Sequence, residues 1–268
     1  MSEHGLGCLH EKLDIRDYKL KKGIAMSVAF PPSYVCEGYR NVKSQGSVGS
    51  CVAHATTEIL EFHNGGQKLS TNFIYGIHKK LYATPGPGMY LRDACKIVRE
   101  YGDPIYDLCP GNTEVNKVYT IAEEAFDKKE VLQNAAKYRI DSFAKLNSIS
   151  DIKYALMNYG PVLSSVDWYS NNKVVNGVLI QGGEKNGGHA IMLYGWNEQG
   201  WLMQNSWGKS WGKGGCCVLP YDYKLTGTYS FVPASSMDTD VVIPARNKFV
   251  EVIFSIINAI LNLFIKHD

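Results

Sequence analysis

The first half of the chain reads as helices and the second as short strands. Ser50 caps a helix to about Leu60, in which Ala53, Ala55 and Leu60 favour the state. Thr71 to about Lys80 and Leu91 to Tyr101 read the same way, the second stopped by Gly102 and Pro104. The charged stretch Thr120 to Tyr138 predicts one long helix. Ser150 and Asp151 cap another through Tyr159, closed by Gly160 and Pro161. Short apolar runs between Gly and Asn clusters then predict an antiparallel sheet: Val162–Val166, Val174–Ile180, Ala190–Gly195, Trp201–Gln204 and Cys216–Leu219. Helices followed by strands predict an α+β protein with two lobes.

The flanks differ from this body. Residues 1–29 are polar and charged, 30–236 form the main domain, and 237–246 read as a linker. In 247–268, the run 249–265 is apolar except for Glu251, Ser255, Asn258 and Asn262, which make one narrow stripe on a helix. Such a helix is expected to bury itself against a membrane surface, the main domain or a second copy.

Composition narrows the classes. With 268 residues, 45% apolar and 20% charged, the chain is neither disordered nor fibrous. Its 28 basic and 26 acidic residues leave a net +2, too balanced for a dedicated nucleic-acid binder. Seven cysteines are too few for a disulfide scaffold. The first 22 residues lack a basic start followed by an apolar run, which predicts an intracellular, reducing location.

Four residues form a candidate catalytic set. Cys51 follows a Gly-containing turn and opens a helix, where backbone N–H groups and the helix dipole favour thiolate. Gln45, on the preceding loop, can donate to an oxyanion. His189 precedes one strand and can carry a proton; Asn205 follows another and can hold the imidazole. Taken singly, the Cys reads as a core residue, the His as a loop residue and the Asn as a turn residue; their order and spacing together favour a site.

With His189 and Asn205 lying 138 and 154 residues beyond Cys51, the sequence resembles a papain-like cysteine peptidase of the cathepsin type. The motifs are Gln45 six residues before Cys51, His189-Ala190-Ile191, Asn205-Ser206-Trp207-Gly208 and Trp211-Gly212. The likeness covers about residues 30–232 and implies a helical lobe and a barrel-like β lobe with a cleft between them. It makes Cys51 the nucleophile, His189 the general acid–base, Asn205 its orienter and Gln45 part of the oxyanion hole. Trp207 would shield the His189–Asn205 bond. Gly88, Tyr90, Ser165, Gly187 and Gly188 would bind substrate. Small residues among them imply a roomy pocket for bulky apolar or aromatic side chains at the second residue before the scissile bond.

Departures from the pattern are Val48, where the family has a disulfide-bonded Cys, and Val52, where it has an aromatic residue. Vicinal Cys216 and Cys217 read as core thiols on a strand. Residues 14–18 resemble a short N-terminal element of bacterial and viral relatives, either an integral arm or a cover over the cleft. The expected function is a cysteine endopeptidase acting on polypeptides through a thioester acyl-enzyme, without metal or organic cofactor. The rivals are an inactive papain-like binding or structural protein and an amidase of cell-wall peptides.

Overall fold

A computed structural model describes residues 4–11, 14, 29–82, 84, 86–112 and 114–233. The proposed linker and the apolar run after it lie outside the described residues, as does most of 1–29.

The first half is helical: α1 (Cys51–His63), α2 (Thr71–Tyr82), α3 (Leu91–Glu100), α4 (Val115–Phe126) and α5 (Lys129–Ala135). The second half adds α6 (Ile149–Tyr159) to a largely antiparallel sheet. Its strands are β1 (Tyr34–Val35), β2 (Ile140–Lys145), β3 (Val162–Tyr169), β4 (Lys173–Val175), β5 (Val178–Ile180), β6 (Lys185–Trp196), β7 (Gly200–Gln204), β8 (Cys216–Pro220) and β9 (Leu225–Pro233). They run in the order β2-β9-β3-β6-β7-β8-β5-β4, with β1 paired to β6. One core gathers α1–α5 over residues such as Phe73, Ile77, Met192 and Tyr229; the other packs α6 onto Val162, Trp196, Trp201 and Leu219. This is the expected α+β arrangement.

Local expectations fail at four places. The helix predicted over 120–138 breaks into α4, α5 and a 3-10 turn, because Lys128 is extended (φ −93°, ψ 121°). The break brings Ala135 against Gly102, where a Cβ would lie 2.0 Å from the Ala135 carbonyl oxygen. The cap of α6 is Ser148, which forms a reciprocal capping box with Asp151, so Ser150 is already helical. Ser50 does occupy the N-cap of α1, but its hydroxyl pairs with His54 Nδ1 at 3.2 Å instead of capping. The run 174–180 is a hairpin, turned by Asn176 (φ 51°) and Gly177 (φ 81°), the left-handed pair that a tight hairpin turn requires.

Among the described residues no helix is long and apolar enough to cross a membrane. None of the seven cysteines forms a disulfide, with Cys217 buried and Cys216 half-buried on β8.

Beneath the site, α1 buries Glu58 and Glu61, against Lys43. Burial pushes Glu58 up to about 8 from an ordinary 4.5, opposed by the Lys43 backbone N–H and the Lys43 charge. A carboxyl raised on folding gives stability that is full below the unfolded value and is lost as pH rises through the folded one. Glu58→Gln should therefore melt higher than wild type at pH 8.5 and converge with it near pH 4. A gain of 1 kcal/mol corresponds to about 2–4 °C in a chain of this size. Equal melting temperatures at pH 8.5 would mean that Glu58 is ionised without cost.

Candidate active site

Cys51 is the first residue of α1 and fully buried. The backbone N–H groups of Ala190, Gly7, Val52 and Cys51 act on its sulfur and favour thiolate, but burial outweighs them and pushes the thiol up to about 11. The expectation that the helix start lowers this thiol is thus overturned for the enclosed state. The orienting dipoles are where the sequence puts them; solvent is not.

His189 lies on β6 opposite Val166 of β3 and is also fully buried. Its Nε2 donates to Asn205 Oδ1 at 2.7 Å, which leaves Nδ1 as the acceptor, without a hydrogen-bond partner among the described residues. Burial lowers the imidazole to about 4; the Asn205 bond pulls upward and the nearby His4 charge downward. Trp207 lies over the ring at 4.7 Å between centroids, and Trp168 meets it edge-on at 5.1 Å. Both rings pack on His189, which like Asn205 is fully buried. Trp168, on β3, was not singled out from the sequence, because a tryptophan in a strand reads as ordinary core.

Gln45 is fastened to the far side of the same motif. Its backbone N–H donates to the Ser206 carbonyl at 2.9 Å, and its Oε1 accepts the Ser206 hydroxyl at 2.6 Å. That fixes which end of the carboxamide is the donor. Nε2 then donates to the carbonyls of Val48 and Gly5, both at 2.8 Å. Ser206 is therefore a positioning residue, which the sequence offered only as a letter between Asn205 and Trp207.

Asn205 is fully buried and its side chain holds the ring expected to carry the proton, so Asn205→Ala should lower kcat by roughly 10²-fold or more and change KM little. A change confined to KM would contradict the orienting role.

The cleft is filled by the chain itself. Residues 4–11 run along it, with His4 stacked on Trp207 at 4.7 Å and the Gly5 carbonyl on Gln45 Nε2. Cys8 N–H donates to the Gly188 carbonyl at 3.0 Å, Met89 N–H to the Gly7 carbonyl at 2.9 Å and Leu9 N–H to the Met89 carbonyl at 3.1 Å. Gly88, at φ +98°, would set a Cβ 2.5 Å from the Gly7 oxygen, and Gly187 faces the side chain of Leu6. Ser165 Oγ pairs with Thr226 at 2.9 Å and hydrogen-bonds the Cys8 thiol. Gly88, Gly187, Gly188, Ser165 and Trp207 thus share one groove. Tyr90 is the N-cap of α3, and the segment's main-chain bonds go to Met89 beside it.

Comparison with known proteins agrees with this architecture. Residues 107–230 match the papain family cysteine protease model, a stretch that includes His189 and Asn205 but ends short of Cys51 and Gln45. The chain is 25% identical over 219 residues to a cysteine protease of Blomia tropicalis, covering 73% of this chain and 62% of the relative. It is 26% identical over 211 residues to the viral cathepsin of Adoxophyes honmai nucleopolyhedrovirus, covering 73% and 58%. The chain thus spans about three fifths of the length of these curated relatives. Xylellain, a cysteine protease from Xylella fastidiosa, superposes with a TM-score of 0.73 at 22% identity, over 87% of this chain and 97% of that one. A procathepsin B from Trypanosoma congolense gives 0.66 at 16%, over 86% and 87%. The fold is the two-lobe papain-like one.

Proposed function

We propose that this papain-like chain is a cysteine endopeptidase that hydrolyses peptide bonds through Cys51, His189, Asn205 and Gln45. The observation that carries the reading is the His189 Nε2–Asn205 Oδ1 bond, which turns an unpartnered Nδ1 to the task of moving the thiol proton. In the open cleft, Cys51 gives its proton to His189 and its sulfur attacks the scissile carbonyl. The oxyanion is met by Gln45 Nε2 and the Cys51 backbone N–H, where the Gly5 carbonyl now lies on Gln45. His189 returns the proton to the leaving amine, and a thioester remains. Water then gives a proton to His189 as it attacks the thioester; the acid leaves and the thiol is restored.

Residues 4–11 act as a cover in this reading. A thiol near 11 and an imidazole near 4 are both uncharged at rest, and burial is the largest cause of each. The same observation favours the inactive relative as the rival. An epoxysuccinyl inhibitor and a dipeptidyl fluorogenic amide separate the cases. Labelling of Cys51 with cleavage supports the peptidase, labelling alone an amidase, and neither the inactive relative.

We further propose that residues 247–268 form a separate apolar helix joined by the linker 237–246. It serves membrane association or self-association, and the chemistry does not need it. Deleting 247–268 should leave kcat/KM within about twofold and abolish flotation with liposomes or shift the oligomeric state. Unchanged flotation, association and melting temperature would refute that role.

A further inference from the structure

The far end of the covering segment is held by a different chemistry from the rest. Glu11 is almost wholly enclosed, with its side chain 7% exposed. Its Oε1 accepts the backbone N–H of Arg92, in the first turn of α3. Its Oε2 accepts the Tyr229 hydroxyl at 2.6 Å and lies 3.6 Å from Arg92 Nη2. Tyr229 is fully buried. A helix start, a guanidinium and a buried phenol therefore converge on one carboxylate.

This seat adjoins the residues that the covering segment touches. Ser165 pairs with Gly227 across β3 and β9. A Cβ at Gly227 would touch both Ser165 Oγ (3.2 Å) and Leu91 Cδ1 (3.3 Å). Tyr229 is two residues further along β9, hence on the same face. Contacts thus run without a break from Cys8 and Ser165 through Gly227 and Leu91 toward Tyr229 and the Glu11 seat, which Arg92 closes on one side. A wholly apolar side chain there would leave that buried hydroxyl without the acceptor it now has. The expectation of a merely roomy apolar pocket overlooked the floor, because Tyr229 is remote in sequence from every motif.

We infer that the seat now holding Glu11 is a carboxylate-binding subsite of the cleft. The polypeptide acted on then presents a glutamate or aspartate to it from the second residue before the scissile bond, with Arg92 and Tyr229 as specificity-determining residues. The inference rests on the peptidase reading for its substrate, but its test does not need turnover.

The test uses the full chain carrying Cys51→Ala, Gly7→Val and Glu11→Ala, so that the covering segment is lifted, the seat is vacated and nothing is cleaved. Isothermal titration compares two blocked tetrapeptides that differ only in Glu or Gln at that position. The Glu peptide should bind about tenfold tighter or more, as expected for charge-assisted bonds to a buried carboxylate. Adding Tyr229→Phe, which keeps the ring and its packing, or Arg92→Ala should shrink the ratio toward one. Equal affinities, tighter binding of a Leu peptide, or a ratio that survives both substitutions would overturn the inference. Failure of the peptidase reading shows separately, as absence of Cys51 labelling and cleavage in the Gly7→Val, Glu11→Ala chain with Cys51 intact.

Discussion

Cys51→Ala should abolish turnover and leave the fold in place. The substitution removes the sulfur that would carry the thioester, and the donors left on Gln45 and the helix start cannot form a covalent intermediate. Loss of a nucleophile in a comparable catalytic unit costs about 10⁶-fold, so activity should fall below a thousandth of wild type. Alanine is the best helix former, and it fits a site already occupied by a small buried side chain. The measurement is kcat/KM on a fluorogenic peptide amide, with melting temperature as the control for folding. A folded variant retaining a hundredth of the activity would mean that the covalent step uses another group.

The second large effect should come from Gly7→Val. Gly7 has no room for a side chain: its Cβ would lie 1.9 Å from the Gly49 carbonyl oxygen. Gly5 is equally confined, 2.4 Å from the Val48 oxygen. The obstacle is backbone oxygen, which cannot swing aside as a flexible side chain can. The segment must lift, and with it the His4–Trp207 stack and the Gly7 N–H on the Cys51 sulfur. Burial is the largest cause of both shifts, so the thiol should fall from about 11 and the imidazole rise from about 4 as solvent enters. Both changes favour the thiolate–imidazolium pair. Labelling of Cys51 at pH 7 and turnover of a peptide amide should each rise about tenfold or more over wild type. If the two chains label at the same rate, residues 4–11 do not limit access and are not a cover.

Legibility followed the range of the interaction. The helices that start at Cys51, Thr71 and Leu91 were readable from local propensity and nearby breakers, although the Ser50 hydroxyl turns to His54 instead of capping. The four candidate catalytic residues were readable because their chemistry is local to short motifs. β2 and β9 were not, since residues 140–145 become a strand only by pairing with 229–233. Ser206, Trp168 and Tyr229 were missed for the same reason. Their importance lies in what they touch, and each touches a residue at least 21 positions away. The thiol's direction of shift failed differently. The dipoles at a helix start can be read from a sequence, whereas enclosure by a segment more than 40 residues earlier cannot.

The attachment of Gln45 to Ser206 also constrains how the molecule can move. Ser44 bridges to Trp207, and Gln45 holds Ser206 by both main chain and side chain, so the loop before α1 is riveted to the turn after β7 that carries Asn205. Gln45 and Asn205, the oxyanion donor and the orienting residue of the proposed peptidase, are therefore tied into one rigid piece. Prising the two lobes apart at this point would dismantle both at once. On the proposed peptidase reading, a peptide is then admitted by exchange along the groove, one strand of chain leaving as another arrives, while the jaws themselves stay still.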